Sequence, residues 1–340
     1  MRFVRYLLPV LFVFFGLNSC LITDNIKTIQ LEIMKPGIFV LPEDVDTIAV
    51  ISRDFFKSDT CTLIYSKLGK NYADSTIKYR DLSNRCVDAL SEYLEKEGYF
   101  RKVFNYRDSL NYLWNNPEQP INRAEFFNKT RSDICVFLDY FNFNHTYIAT
   151  SFESYYTRPS LAWTMVIRSD TSYFIYNQLD TLMLDNPSYP KDPTKTGGMK
   201  LFLLNSSEYL GKIFGSQIIP SWLKVERMYY KSKNPDMLKA EKFALNNEWL
   251  DAAELWNKET KNKNHRIAAK ACYNMALACE MEGKPDLSID WLVKSYTSIS
   301  GYNLEHKTNC QRYINILAIR KKEIEKVGKQ IRSQVNKENK

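Results

Sequence analysis

The sequence predicts an α/β (or α+β) mixed-sheet domain followed by an all-α array of helical hairpins. Three observations carry this. Strand-type runs alternate with helical periodicity over residues 47–225. No strand signal follows Asn234-Pro235. Beyond that point small residues recur at matching places, Ala252 and Ser288 lying 36 positions apart.

In chain order, residues 20–46 read as a lead-in, with an edge strand at Ile29 to Met34 broken by Pro36-Gly37 and Pro42. Thr47 to Ser52 is a short β-branched run of strand type. Residues 57–75 read as polar and irregular. Ile77 to Gly98 is the clearest helix of this half. Tyr79, Leu82, Cys86, Ala89/Leu90, Tyr93 and Leu94 recur at three- and four-residue spacing, and Gly98 supplies a stop. Lys102 to Tyr106 is a second strand, Arg123 to Thr130 a short helix and Asp133 to Phe143 a strongly apolar strand. Leu161–Arg168 and Tyr173–Leu184 form a hairpin about Ser169-Asp170-Thr171-Ser172. Trp163, Met165 and Ile167 alternate there with Thr164, Val166 and Arg168, as a sheet with one drier face requires. Thr196-Gly197-Gly198 opens a helix through Ile219, which Pro220 closes.

The helical domain spans 234–333 and a basic tail 334–340. Helices fit 236–246, 249–260, 266–282, 286–298 and 303–333. The stretch "AAKACYNMALACEMEGKPDLSIDWLVKSY" resembles a tetratricopeptide repeat. Ala276 takes the small position of its first helix, Gly283 the turn, and Ser288 and Ser295 the small positions of its second. "AEKFALNNEWLDAAELWNKE" is similar to a degenerate copy, with Ala240, Asn247 and Ala252 in the same places, near the roughly 34-residue period of that family. The alternative is a non-repeat bundle with accidental alanine spacing.

Arg2 and Arg5 precede an apolar run from Leu7 to Leu17, well short of the about 20 residues a helical span needs. The plan is that of a secretory signal over residues 1–19. Its end, Leu17-Asn18-Ser19-Cys20, resembles the lipobox of bacterial lipoproteins. That resemblance implies cleavage before Cys20, diacylation of its thiol and acylation of the new amine, with residues 20–46 as lipidated tether and lead-in. Two or more acyl chains hold a protein to a bilayer where one does so only marginally. A single acidic residue, Asp24, follows Cys20 closely, so the expected address is the outer membrane of a bacterial cell envelope, facing the periplasm.

The formal charge of +8 is concentrated at the ends. Residues 320–340 hold eight Lys/Arg against three Glu, and the body is nearly neutral, so no nucleic-acid partner is expected. Three histidines, His145, His265 and His306, lack a cysteine or second histidine at ligand spacing, and no HExxH, CxxC, GxSxG, Walker loop or GxGxxG occurs. No metal, cofactor or catalytic residue is therefore assigned, and the chain is expected not to be an enzyme. "PTKTGGMKL" has the glycines and lysine of a phosphate loop without its spacing and reads as a helix start. For the six remaining cysteines, a Cys61–Cys86 disulfide is one reading and separate core thiols the other. Cys272 and Cys279 stand two turns apart on one helix, too far to bridge.

Open α/β sheets place ligands past the carboxyl ends of their strands. That rule nominates Arg53 and Asp54 after the first strand and Asp139 and His145 on the central one. Tyr155 and Tyr156, read as loop, are candidates for glycan contact. Asp74-Ser75-Thr76, Asp108-Ser109-Leu110 and Asp180-Thr181-Leu182 resemble the short O-glycosylation signal of Bacteroidetes, the first of them in apparent loop.

Leu17 to Cys20, Leu31 to Arg53, the Trp163 to Asp185 hairpin and the tail around Trp249 to Tyr296 together resemble uncharacterised Bacteroidetes lipoproteins. These have an α/β domain and a short tetratricopeptide-like tail. The α/β half is also similar in fold to the amino-terminal domain of TolB and to the curli-secretion lipoprotein. Neither resemblance supplies an activity to transfer, and the function expected is a non-catalytic interaction scaffold, anchored by acylated Cys20, with a protein or peptide partner on the helical domain. The alternative is an envelope enzyme or glycan-binding protein using the α/β domain.

Overall fold

The computed structural model describes residues 26–39, 41–42, 44–55, 59–67, 70–107, 109–110, 122–145, 155–168, 173–179, 182–184, 198–299 and 303–338. The chain has a strand-rich amino-terminal region and a carboxy-terminal helical array. It divides into two compact units. One holds Glu32–Leu223 with Lys322–Lys340, the other Lys224–Lys321 with the chain up to Leu31. Cys20, the apolar run before it and residues 185–197 lie outside the described residues. No helix among those described is long and apolar enough to cross a membrane.

The first unit is built on a mixed sheet. Its centre is β2 (Thr47–Phe55), flanked in parallel by β5 (Lys102–Arg107) and β6 (Ile134–His145). The antiparallel strands β7 (Tyr155–Ile167) and β8 (Tyr173–Leu179) extend it, and β9 (Leu182–Leu184) pairs with the start of β7. The strand order is β5-β2-β6-β7-β8. Ile48, Val50, Ile134, Val136, Leu138, Trp163 and Met165 point to one face. There α1 (Tyr79–Glu97) and α3 (Gly198–Ile218) cover them. Ala49, Ile51, Cys135, Phe137 and Val166 point the other way, against Phe126 and Phe127 of α2 (Arg123–Thr130) and Leu110. This is the two-residue alternation of a sheet buried on both sides.

α1 and α3 run in parallel. Arg85 pairs with Glu208, Gly211 meets the backbone of Cys86 and Leu90, and Gly215 meets Leu90 and Tyr93. A Cβ on Gly211 would sit 2.1 Å from the Cys86 carbonyl oxygen, so only glycine fits there. Phe214 then stacks on Trp163 with ring centroids 4.4 Å apart. α1 ends as expected, on Gly98 at φ +65°, whose N–H donates to Glu95 O.

Where β2 and β6 begin, the Asp133 carboxylate accepts from Asp46 N, Thr47 N and Thr47 Oγ1 at 3.1, 2.9 and 2.7 Å. Burial pushes this carboxyl up, but these bonds and the Arg168 charge outweigh it and hold the group below its ordinary value. The ionised form is therefore favoured in the fold. Its stabilisation is full above the unfolded pKa of about 3.9 and is lost as pH falls through the folded value.

Several expectations are corrected here. Residues 57–75 are not irregular throughout, because β3 (Thr60–Lys67) and β4 (Lys70–Lys78) form an antiparallel hairpin. Asp74-Ser75-Thr76 lies in β4 rather than in loop. Cys61 and Cys86 are both buried and are not joined by a disulfide. Cys61 stands beside Tyr79 at the start of α1, and Cys86 is seven residues on, about 10 Å along the helix. Burial raises the Cys61 thiol to about 11. After Pro220 the chain forms β10 (Ser221–Tyr230), paired with β1 (Ile26–Lys35), a longer strand than expected. The last helix runs on to Glu338, through most of the stretch expected as tail.

The helical unit contains α4 (Pro235–Leu245), α5 (Trp249–Glu259), α6 (His265–Met281), α7 (Pro285–Thr297) and the first part of α8 (Leu304–Glu338). The second hairpin repeats the first 36 positions later. Leu245 and Met281 end the leading helices, and Trp249 and Pro285 begin the returning ones. Between them Asn247 and Gly283 take positive φ, 64° and 69°. The pairs Ala240/Ala276, Ala252/Ser288 and Trp256/Leu292 are all fully buried. Ser288 Oγ donates to Ala276 O at 2.6 Å and Ser295 Oγ to Ala269 O at 2.8 Å, so the small residues sit where α7 crosses α6.

Two glycine substitutions test the helix packing. Gly211→Ala drives a methyl into backbone and is expected to cost about 1–3 kcal/mol. Gly328→Ala in α8, with open space around its Cβ, is expected to stabilise by up to about 1 kcal/mol. Thermal melts of the two variants should shift in opposite directions. Asp133→Asn is expected to lower the melting temperature at neutral pH, with the deficit against the parent shrinking below about pH 4.

Candidate functional site

The structure brings together two of the nominated residues and adds a third. Arg53 Nη1 donates to Asp139 Oδ1 at 3.0 Å, and Thr164 Oγ1 donates to Asp139 Oδ2. The strands explain the meeting. The β2–β6 register slips between Ser52 and Phe55, and the β6–β7 register between Leu138 and Tyr140, so Asp139 is a bulge residue. Before the bulge, even-numbered residues of β6 face α1 and α3. After it, the odd-numbered Phe141 and Phe143 do. Asp139 thus continues the Cys135–Phe137 row on the opposite face, as Arg53 continues Ala49–Ile51 and Thr164 precedes Val166.

Arg53 is 8% exposed. Burial raises the Asp139 carboxyl above its ordinary value, and the Thr164 hydroxyl and Arg53 guanidinium, pulling the other way, do not cancel it. Sequence reasoning missed Thr164, whose place across from Asp139 depends on a register no local pattern reveals.

The remaining candidates do not join this cluster. His145 lies six residues beyond Asp139, about 20 Å along β6. It pairs with Thr157 of β7, beside Tyr156. Tyr155 and Tyr156 are strand residues opposite Leu184 and Met183 of β9, not loop residues. The side chains of Asp54, His145, Tyr155 and Tyr156 lie outside the described residues.

The helical unit holds a larger polar network, which sequence reasoning did not find. Arg227 of β10 donates from Nε and Nη2 to the Glu280 carboxylate of α6 at 2.9 and 2.8 Å, and Tyr313 Oη of α8 donates to it at 2.6 Å. Burial, then the Glu280 charge, pushes the Tyr313 hydroxyl well above its ordinary value. Asn274 accepts from Tyr230 N and donates to Tyr230 O, both at 2.8 Å, taking the place of a paired strand. These partners lie 33 to 53 residues apart, beyond any motif spacing.

One group resembles a nucleophile and base: Ser295 Oγ and His306 Nε2 are 2.9 Å apart, with Cys310 Sγ at 3.6 Å from the same nitrogen. All three are buried, at 0%, 1% and 0% exposure. The Ser295 proton is committed to Ala269 O, so the imidazole N–H donates to Ser295 rather than accepting from it. Burial lifts the Cys310 thiol to about 11, leaving it protonated at neutral pH. Among the described residues no group of three or more His, Cys, Asp and Glu is placed to hold a metal ion.

A structural ion pair and a reactive one respond differently to paired replacement. Asp139→Ala leaves a buried guanidinium without its carboxylate and is expected to cost about 3–5 kcal/mol. The double variant Arg53→Met/Asp139→Leu is expected to recover most of that loss, read by denaturant unfolding of both variants.

Comparison with known proteins gives families rather than activities. One family model, described as "Domain of unknown function (DUF6340)", matches residues 238–319, within the helical unit. No curated protein matches the chain. Among solved structures, the PelC dodecamer from Paraburkholderia phytofirmans shares 10% identity, covering 57% of this chain and 99% of its own at a TM-score of 0.28. A single-substitution variant of it shares 10% identity over 56% and 98%, at 0.27. Likeness that slight carries no inference about this chain. The model described as "Domain of unknown function (DUF8603)" matches residues 45–230, which is more than half of the 340 residues. The chain therefore belongs to the DUF8603 family.

Proposed function

We propose that the protein is a non-catalytic interaction scaffold, held to the bacterial outer membrane on its periplasmic side through acylated Cys20. Its helical unit takes a protein or peptide partner. One observation carries the scaffold reading: the paired hairpins bury their small residues and leave large apolar ones outside. Ala240, Ala252, Ala276 and Ser288 are fully buried, whereas Leu245, Leu250, Leu287 and Val293 are 55%, 67%, 44% and 49% exposed. Exposed aliphatic groups on successive helices are the anchors that extended helical arrays offer to partners. The 36-residue offset, with positive-φ turn residues at Asn247 and Gly283, supports the tetratricopeptide-like reading of this unit. The internal commitment of Ser295, Arg53 and Glu280 supports a role without covalent chemistry.

Two measurements test this proposal. Labelling cells with radioactive palmitate is expected to mark the parent and not Cys20→Ala, and the variant should leave the membrane fraction. A membrane-bound Cys20→Ala of unchanged mobility would sink the anchor. For the scaffold, Leu250→Glu and Val293→Glu are expected to melt as the parent does and to lose the partner captured by crosslinking in intact cells. Capture unchanged by both substitutions would remove the helical unit from the interaction.

A further inference from the structure

An exposed apolar and basic patch lies at one end of the sheet unit. Trp222 and Leu223, at the start of β10, are 62% and 48% exposed, Ile38 is 46% and Ile331 is 38% exposed. The last turn of α3 gathers them. Ile38 N donates to Gln217 O at 2.7 Å, and Ser221, next to Trp222, donates from Oγ to Ser216 O at 3.0 Å. The end of α8 lies against the same segment. The Gln330 side chain accepts from Gly37 N and donates to Gly37 O and Phe39 O, while Lys326 Nζ donates to Ile38 O at 3.1 Å. Gly37 is packed so tightly on Ile218 that a Cβ would come within 2.5 Å of its carbonyl oxygen, so the segment has a defined seat. Lys322 and Lys329 are exposed on this part of α8, with one acidic residue, Glu325, exposed between them.

We infer that this patch rests on an anionic bilayer surface, with Trp222 at headgroup depth and Lys322 and Lys329 over the phosphates. Tryptophan settles at the membrane–water boundary because its ring is apolar and its N–H polar. Lysine stems lie along apolar surface while their heads reach anionic groups. Protein interface cores, in contrast, are depleted in lysine, which favours a lipid occupant over a protein one. The inference rests on the anchored reading only for which membrane is met. The 18 residues from Cys20 to Ile38 span at most about 60 Å, so one bilayer can hold both.

The test uses the full chain carrying Cys20→Ser, so that acylation contributes nothing and the apolar run is common to every sample. Co-sedimentation with phosphatidylglycerol-containing vesicles is expected to exceed that with phosphatidylcholine alone and to fall with salt. Lys322→Gln and Lys329→Gln should each weaken it about fivefold. Trp222→Ala should weaken it severalfold with the melting temperature unchanged, and Trp222→Phe should restore part of the loss. Equal binding to both vesicle types, or parent-like binding by all the variants, would overturn the inference. So would full displacement by millimolar glycerol phosphate, which would mark a small-anion site. Palmitate labelling of the unsubstituted chain reads the anchor separately, so either idea can fail alone.

Discussion

The contact of Gly211 with the Cys86 carbonyl governs the sheet unit. A helix is about 10 Å wide and strands lie about 4.8 Å apart, so one helix covers two strands and this face needs two helices side by side. They can close the face only where one presents no side chain to the other, and Gly211 and Gly215 do that on α3. Phe214, between them in sequence, is then placed to stack on Trp163 of β7, which ties the antiparallel half of the sheet to the parallel half. Among the described residues, the opposite face is covered by Phe126 and Phe127 of α2 and by Leu110, which pack with Phe137 and Ile51. The next residues in those two rows are Asp139 and Arg53. Their ion pair continues the apolar rows in polar form.

The helical unit solves a related problem with different residues. β10 has β1 as its one strand partner, and the backbone of Tyr230 finds further partners in a side chain. Asn274 supplies a donor and an acceptor to Tyr230, and Arg227 finds a bidentate carboxylate in Glu280. Tyr313 takes a further lone pair of that carboxylate, so the buried charge is compensated on more than one side. Met237, Trp256 and Leu292 fill the space around this network, and fully buried alanines and serines let the hairpins close over it.

The helices were readable in the sequence because apolar or small residues recur along them at helical spacing and turn residues such as Gly98 and Gly283 end them. Ile77 to Gly98 and all five carboxy-terminal helices lie within a few residues of their expected bounds. The mixed sheet was readable too, from apolar runs separated by polar turns. The β3–β4 hairpin was not, since Ser66, Lys67, Lys70, Asn71, Asp74 and Ser75 leave no sustained apolar run in that part of the sequence. Tyr155 and Tyr156 read as loop because Arg158-Pro159 follows them, and Pro159 lies within β7 opposite Phe143. At the candidate site, Arg53 and Asp139 were found through a rule about strand ends. Thr164 was not, because its position depends on a bulge, and a one-residue slip reverses which face a side chain takes. Buried partners such as Arg227 and Glu280 leave no local trace at all.

Proximity alone gives none of these polar groups a reaction. A serine becomes a nucleophile when an acceptor nitrogen takes its proton, and the Ser295 proton already lies on a carbonyl. A carboxylate becomes a general base when a substrate can reach it, and Glu280 is filled by Arg227 and Tyr313. Arg53 and Asp139 neutralise one another, with Thr164 on the second oxygen. The polar chemistry of the described residues is thus largely spent on holding strands and helices in register. Exposed among the described residues are leucines on the hairpins, with acidic and basic side chains around them, and Trp222 with Lys322 and Lys329 in the sheet unit. Groups of that kind act by contact, which suits the proposed partner and bilayer surfaces.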